Sequence, residues 1–245
     1  MDSSTESKFH PLPCLLTCAS LFCGFYSIIA SINGHFFAGA VAILIAAIFD
    51  GLDGRVARMT ATTSAFGKEL DSLCDLVSFG VAPALLAYLW ALTPYGRYGW
   101  LAAFLYVATT ALRLARFNTQ TEASGSDFVG LPCPAAAMMV ASTVMFSRFL
   151  GATDTVKHVS ILLLIYVLSY LMVSNHRYLS FKQVKIKKEK KFQLVVFMLL
   201  FLILVATEPP ITLFAVAFVY MLSGPVLALH KLLTRDKATV KKKLS

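Results

Sequence analysis

Apolar residues run through this chain in long blocks, broken by short polar turns. The blocks predict helices over 12–32, 36–53, 69–92, 98–116, 129–150, 157–174, 192–207 and 209–230. Most come close to the roughly 20 apolar residues a helix needs to cross the hydrocarbon of a bilayer. Glu208-Pro209-Pro210 divides the last two blocks. Such a turn cannot continue a helix and suits two antiparallel spans. No repeat at a fixed period is present. Only Lys8 precedes the first block and no small-residue cleavage site clearly ends it, so no cleavable signal peptide is expected. The pattern therefore predicts an all-α polytopic membrane bundle of about eight transmembrane helices. Residues 1–230 form one integral-membrane domain in this reading, and 231–245 form a basic cytoplasmic tail.

Composition narrows the class further. The 245 residues are 58% hydrophobic and 14% charged, against about 45–50% and 25% for soluble domains. A soluble globular chain and a disordered one are both excluded. Eight spans would take up about 160 residues, leaving no room for a separate soluble domain. Cys14, Cys18, Cys23, Cys74 and Cys133 form no CxxC pair and sit in or beside apolar blocks. They read as small buried hydrophobes and not as a disulfide framework. The histidines, His10, His35, His158, His176 and His230, show no metal-ligand spacing. Only His176 falls near other candidate site residues.

Charge sets the orientation. When alternate loops are assigned to one side together with both termini, that side holds 19 of the 22 Lys and Arg residues. Only Arg97, Arg148 and Lys157 fall on the other. The imbalance places both termini in the cytoplasm. The net charge of +9 comes from this bias and from two clusters, Lys182–Lys191 and Lys231–Lys243. Against an anionic leaflet each such residue contributes roughly 1 kcal/mol of attraction. The charge thus marks a membrane surface and not a nucleic-acid partner.

The candidate chemistry lies in the acids. Of only 13 Asp and Glu residues, Asp50, Asp53, Asp71 and Asp75 fall within a short stretch. Separations of three and four return to nearly the same helix face, so each helix presents one pair of carboxylates. A tight connection from Met59 to Gly67 turns the chain back and lets the pairs face one another. Four opposed carboxylates cannot remain ionised without compensation, because both insertion into the membrane and mutual repulsion oppose it. Divalent cations resolve the conflict, and an oxygen-only ligand set favours Mg²⁺, Mn²⁺ or Ca²⁺ over zinc. Four bridging carboxylates can hold two ions about 3.5–4 Å apart, the spacing of two-metal phosphoryl-transfer sites. The plainer reading is that these are interfacial helix-end acids, each meeting an arginine.

The stretch Asp50-Gly51-Leu52-Asp53-Gly54-Arg55-Val56-Ala57-Arg58, then Gly67-Lys68-Glu69-Leu70-Asp71-Ser72-Leu73-Cys74-Asp75, carries a known signature. It resembles that of the CDP-alcohol phosphotransferase family, D-x-x-D-G-x-x-A-R, eight residues, G-x-x-x-D-x-x-x-D, and meets every fixed position. Four further segments, at 78–84, 113–118, 130–137 and 173–182, resemble the bacterial, phosphatidylserine-forming branch of that family. In the first predicted helix Thr17 and Gly24 fit, whereas Cys14 and Ser20 stand where relatives often carry Asn.

The resemblance implies an activity, a cofactor and a site. CDP-diacylglycerol would be the donor and the L-serine hydroxyl the acceptor. The products would be phosphatidylserine and CMP, formed at the bacterial cytoplasmic membrane by a homodimer. Two divalent cations, Mg²⁺ or Mn²⁺, would be held by Asp50, Asp53 and Asp71. Asp75 would share the second ion or act as general base. Gly54, Ala57 and Gly67 would admit the flat cytosine, and Arg58 would meet a phosphate. Small residues also pack helices, and an arginine at a helix end also snorkels. Arg113, Arg116, Asn118, Asn175, Arg177, Tyr178 and Lys182 would line a basic pocket for the acceptor carboxylate and the donor phosphates, although ordinary topology charges would look the same. Glycerol 3-phosphate or an inositol phosphate is an alternative acceptor within the family. A secondary transporter is the alternative from another class, but the acids gather at one helix pair instead of lining a path. Pro132 and Pro134 suit a helix start and receive no catalytic role.

Overall fold

The computed structural model describes residues 11–60, 65–120, 130–151, 159–176, 178, 199–200 and 203–243. No strand occurs among the described residues. The elements in chain order are α1 (Pro11–Ile32), α2 (Phe36–Met59), α3 (Ala65–Asp75), a π-helical turn (Leu76–Val81), α4 (Ala82–Ala87), a second π-helical turn (Tyr88–Leu92), a 3₁₀ turn (Thr93–Tyr95), α5 (Arg97–Gln120), α6 (Cys133–Phe149), α7 (Val159–Val173) and α8 (Pro209–Lys243). The all-α membrane architecture expected from the hydropathy pattern is what the chain adopts.

The first two helices form a hairpin whose turn follows from one glycine. Gly34 takes φ 77°, a left-handed conformation that costs glycine little. Its N–H donates to the Ser31 carbonyl at 3.1 Å, and His35 N–H donates to the Ala30 carbonyl at 2.8 Å. This pairing satisfies two carbonyls that the end of α1 would otherwise leave open. The helices then pack through small residues. A Cβ built on Gly39 would meet Ser31 Oγ at 2.9 Å and the Ser27 carbonyl at 3.2 Å. Ser20 Oγ donates to the Ala46 carbonyl across the same seam at 3.1 Å.

The third apolar segment, Phe66–Tyr95, is one rod of 30 residues. Pro83 lies within it and has no N–H to give the preceding turn. The rod accommodates this by widening: Ala82 N–H reaches the Val77 carbonyl, a π-type bond. This rod is the centre of the bundle. Phe79, Ala82, Leu86, Ala91 and Leu92 are fully buried, and Trp90 nearly so. Together with Ile43 and Ala46 of α2, Tyr106 of α5, Met139 and Val140 of α6, and Ile165 and Leu168 of α7, they make one continuous core.

Among the described residues, four helical stretches are long and apolar enough to cross a bilayer: Pro13–Ile32, Phe36–Met59, Phe66–Tyr95 and Pro209–Ala228. Cys133–Phe149 and Val159–Val173 are apolar but shorter. Large apolar side chains such as Phe22, Ile48, Phe104, Leu163 and Val219 face outward, as a lipid-facing surface requires. The protein is thus an integral membrane protein. Eight spans would also require α5 and 192–207, and of the latter only 199–200 and 203–207 are described, all helical. The polar turn at 208–210 is present, with Glu208 outside the helix and α8 starting at Pro209. The helix α8 then runs on past 230 without a break, through the basic segment to Lys243.

Candidate active site

The helix α2 does not stop where its apolar block ends near residue 53 but continues to Met59. The next helix, α3, starts at Ala65. Because both stretches are helical, Asp50 and Asp53 share a face of α2, and Asp71 and Asp75 share a face of α3. Carboxylate oxygens of Asp50, Asp53 and Asp71 all lie within 4.8 Å of one another. Asp75 completes the group by hydrogen-bonding contact with the Asp50 carboxyl. The four acids picked out by spacing are therefore brought together.

The cluster is walled on one side by α1. Thr17 Oγ1 donates to Asp53 Oδ2 at 2.7 Å. Asp53 is 5% exposed, and it also accepts the backbone N–H of Gly54. These two donors orient its carboxylate. One turn further along α1, Ser78 Oγ at the first π-turn donates to the Ser20 carbonyl at 3.2 Å. A Cβ on Gly24 would meet Ser78 Oγ at 2.5 Å and Ser78 Cα at 2.7 Å. Gly24 thus permits the close approach of α1 to the rod that carries Asp71 and Asp75.

Four carboxylates so close are stable only with protons or cations among them, since each ionised neighbour raises the cost of the next. The donor set consists of hard oxygens on a partly buried frame, with no Cys or His ligand in the group. This chemistry fits a divalent ion such as Mg²⁺, Mn²⁺ or Ca²⁺. The acidic cluster could therefore hold a metal ion.

Residues expected at the nucleotide lie beside it. Gly54 is half-buried, and the one group near a Cβ placed there is Arg58 Nη1, at 3.6 Å. Arg58 itself is exposed, one turn along α2. Ala57 and Gly67 are half-buried on α2 and α3.

Five of the seven residues expected to line one basic pocket are described, and they are arranged in separate contacts. Arg113 Nη1–H donates to Cys133 Sγ at 3.3 Å. Arg116 Nη2–H donates to Asn175 Oδ1 at 3.0 Å, tying the end of α5 to the segment after α7. The Asn118 side-chain amide donates to Ser72 Oγ at 2.9 Å, and the Asn118 backbone carbonyl accepts from Lys68 Nζ at 3.2 Å. Asn118 thus braces the helix that bears Asp71. Tyr178 is buried, donates its hydroxyl to the Met221 carbonyl at 3.2 Å and packs on Tyr220. A Cβ on Gly224 would strike its ring at 2.3 Å. Arg177 and Lys182 lie outside the described residues. Two site contacts had no role in the sequence reading: Thr17, which fitted the family pattern without a function attached, and Cys133.

The helical membrane bundle and its acidic centre, built where two successive helices fold back on one another, define a class of protein, and the comparison with known families agrees. Residues 10–166 match the CDP-alcohol phosphatidyltransferase family, and the chain belongs to that family. It is 40% identical over 219 residues to the CDP-diacylglycerol–serine O-phosphatidyltransferase of Helicobacter pylori, covering 89% of this chain and 91% of that one. It is 37% identical over 180 residues to the archaetidylserine synthase of Methanothermobacter thermautotrophicus, covering 73% of each. It is 34% identical over 173 residues to the CDP-diacylglycerol–serine O-phosphatidyltransferase of Bacillus subtilis, covering 70% of this chain and 92% of that one.

Proposed function

We propose that this protein transfers the phosphatidyl group of CDP-diacylglycerol to the hydroxyl of L-serine, forming phosphatidylserine and releasing CMP. The observation that carries the reading is the convergence of Asp50, Asp53 and Asp71 within 4.8 Å, on the family signature. Relatives that bear the serine-transferase name and align over most of the chain support serine as acceptor.

In this reading Asp50, Asp53 and Asp71 would hold two divalent cations, Mg²⁺ or Mn²⁺, and Asp75 is left as the general base. Bound there, the ions neutralise charge on the phosphoryl oxygens of the donor. Asp75 takes the proton of the serine hydroxyl as its oxygen bonds to the lipid-linked phosphorus and the bond to CMP breaks. Gly54, Ala57 and Gly67 leave room for the nucleotide, and Arg58 binds a phosphate. Arg113 and Arg116, with Asn175, Arg177 and Lys182, supply the basic side of the acceptor pocket. Thr17 and Asn118 act from behind the acids, Thr17 on the Asp53 carboxylate and Asn118 on the helix of Asp71. The Lys and Arg imbalance supports a cytoplasmic location for both termini, the site and the basic tail from 231, in a bacterial inner membrane. A homodimer belongs to the same reading through the family resemblance.

Purified protein supplied with CDP-diacylglycerol and either serine, glycerol 3-phosphate or an inositol phosphate tests it. CMP should appear with serine and stop on chelation. No CMP release with serine overturns the acceptor assignment, and release that survives chelation overturns the metal centre.

A further inference from the structure

The start of α6 meets α5 in a polar contact that the proposed chemistry does not use. Cys133, the first residue of α6, is fully buried. Its backbone is held in place by Gly130 and Leu131, just before Pro132. Gly130 N–H donates to the His176 carbonyl at 2.9 Å, and Leu131 N–H donates to the Leu171 carbonyl at 3.0 Å. Gly130 takes φ 84°, and a Cβ there would meet the Met172 carbonyl at 2.4 Å, so the thiol is presented from a rigid support. The sulfur accepts Arg113 Nη1–H at 3.3 Å. It also lies near Asp75 and the Tyr106 hydroxyl.

Two buried donors beside this contact have no partner among the described residues: Arg113 Nε and the hydroxyl of the fully buried Tyr106. Buried polar groups are almost always paired, so unspent donors next to a reaction centre point to a ligand. With Nη1 engaged by the thiol, the guanidinium keeps its Nε–Nη2 edge. Two parallel N–H groups on that edge match the two oxygens of a carboxylate.

We propose that Cys133 is a positioning residue for Arg113: its thiol holds Nη1 and turns the Nε–Nη2 edge toward the carboxylate of the amino-acid acceptor beside Asp75. The inference rests on the serine-acceptor reading above and adds to it the group that aims the arginine. Serine at 133 keeps an acceptor for Nη1, whereas valine keeps the bulk and removes it.

The test compares Cys133→Val, Cys133→Ser, Arg113→Lys and the Arg113→Lys/Cys133→Val double variant by CMP release. Cys133→Val should raise the KM for serine about three- to tenfold, the worth of one hydrogen bond, with the KM for CDP-diacylglycerol within twofold. Cys133→Ser should recover most of that loss, and adding Cys133→Val to Arg113→Lys should change nothing further. An unchanged serine KM in Cys133→Val, an equal rise in both KM values, or additive effects would overturn the proposal. If Cys133→Val does not elute as folded protein, Cys133→Ala against Cys133→Ser reads the same contrast. Should Arg113→Lys leave the serine KM unchanged, the acceptor role of Arg113 fails first; an effect at Arg113 with silence at Cys133 sinks this inference alone.

Discussion

Thr17 and Asp53 stand 36 positions apart and are joined by a 2.7 Å hydrogen bond, with the Thr17 hydroxyl donating to Asp53 Oδ2. The bond makes α1 part of the acidic centre although α1 contributes no carboxylate to it. A carboxylate that accepts a fixed donor on one oxygen has its other oxygen directed, and partners behind metal ligands typically carry 10- to 100-fold in affinity or activity. Thr17→Val should therefore weaken the apparent affinity for Mg²⁺ or Mn²⁺ about 10- to 100-fold, while Thr17→Ser stays near the parent. A metal titration of CMP release measures this. Equal metal dependence in Thr17→Val and the parent would remove Thr17 from the site.

Asp71→Ala tests the cluster without relying on turnover. A cation bound only to the folded state stabilises it by about 2.7 kcal/mol at 100 times its dissociation constant. The parent should melt at a higher temperature with Mg²⁺ or Mn²⁺ present and lose the increment on chelation. Asp71→Ala should show a much smaller shift. A shift of parental size would count against Asp71 as a ligand.

Much of this arrangement was legible in the chain. Hydropathy located helices at 12–32 and 209–230 that the structure gives as Pro11–Ile32 and Pro209–Lys243. The four acids were legible because their spacing is a helical one. Yet Arg55 and Arg58 misplace the end of α2, since charges beyond residue 53 read as a loop. They lie on a helix that runs to Met59, because spacing by three or four groups polar residues on one face without breaking the backbone pattern. The π-turns around Pro83 left no periodic signal to read. Tyr178 and Asn118 look like pocket residues in sequence because they are polar and near arginines. Their hydrogen bonds instead go to Met221 and Ser72, partners that only the tertiary packing brings near. The bond from Thr17 to Asp53 was invisible for the same reason.

Asp75→Asn separates chemistry from assembly. The side chains are nearly the same size, so the fold and the Thr17–Asp53 contact should persist. An amide cannot take the serine proton, and general-base removal costs about 10²- to 10⁴-fold. The variant should bind CDP-diacylglycerol, melt near the parent and release CMP at a rate reduced by that factor. Turnover within threefold of the parent would assign the proton to another group.

Gly24→Ala asks whether the close contact between α1 and the central rod matters to the site. A new Cβ would lie 2.7 Å from Ser78 Cα, which is backbone and cannot swing aside. The helix α1 must shift, and overpacking of this kind costs about 1–3 kcal/mol. The shift also moves Thr17 relative to Asp53, because both Gly24 and Thr17 ride on α1. Gly24→Ala should therefore lower the melting temperature and weaken metal dependence in the same sense as Thr17→Val. Gly51→Ala supplies the contrast: a Cβ there meets nothing within 4 Å among the described residues, and alanine favours a helix over glycine by about 1 kcal/mol. Its melting temperature should equal or exceed that of the parent. If Gly24→Ala melts like Gly51→Ala, the spacing of α1 from the rod is not set by Gly24, and the coupling of Thr17 to the acids must come from elsewhere on α1.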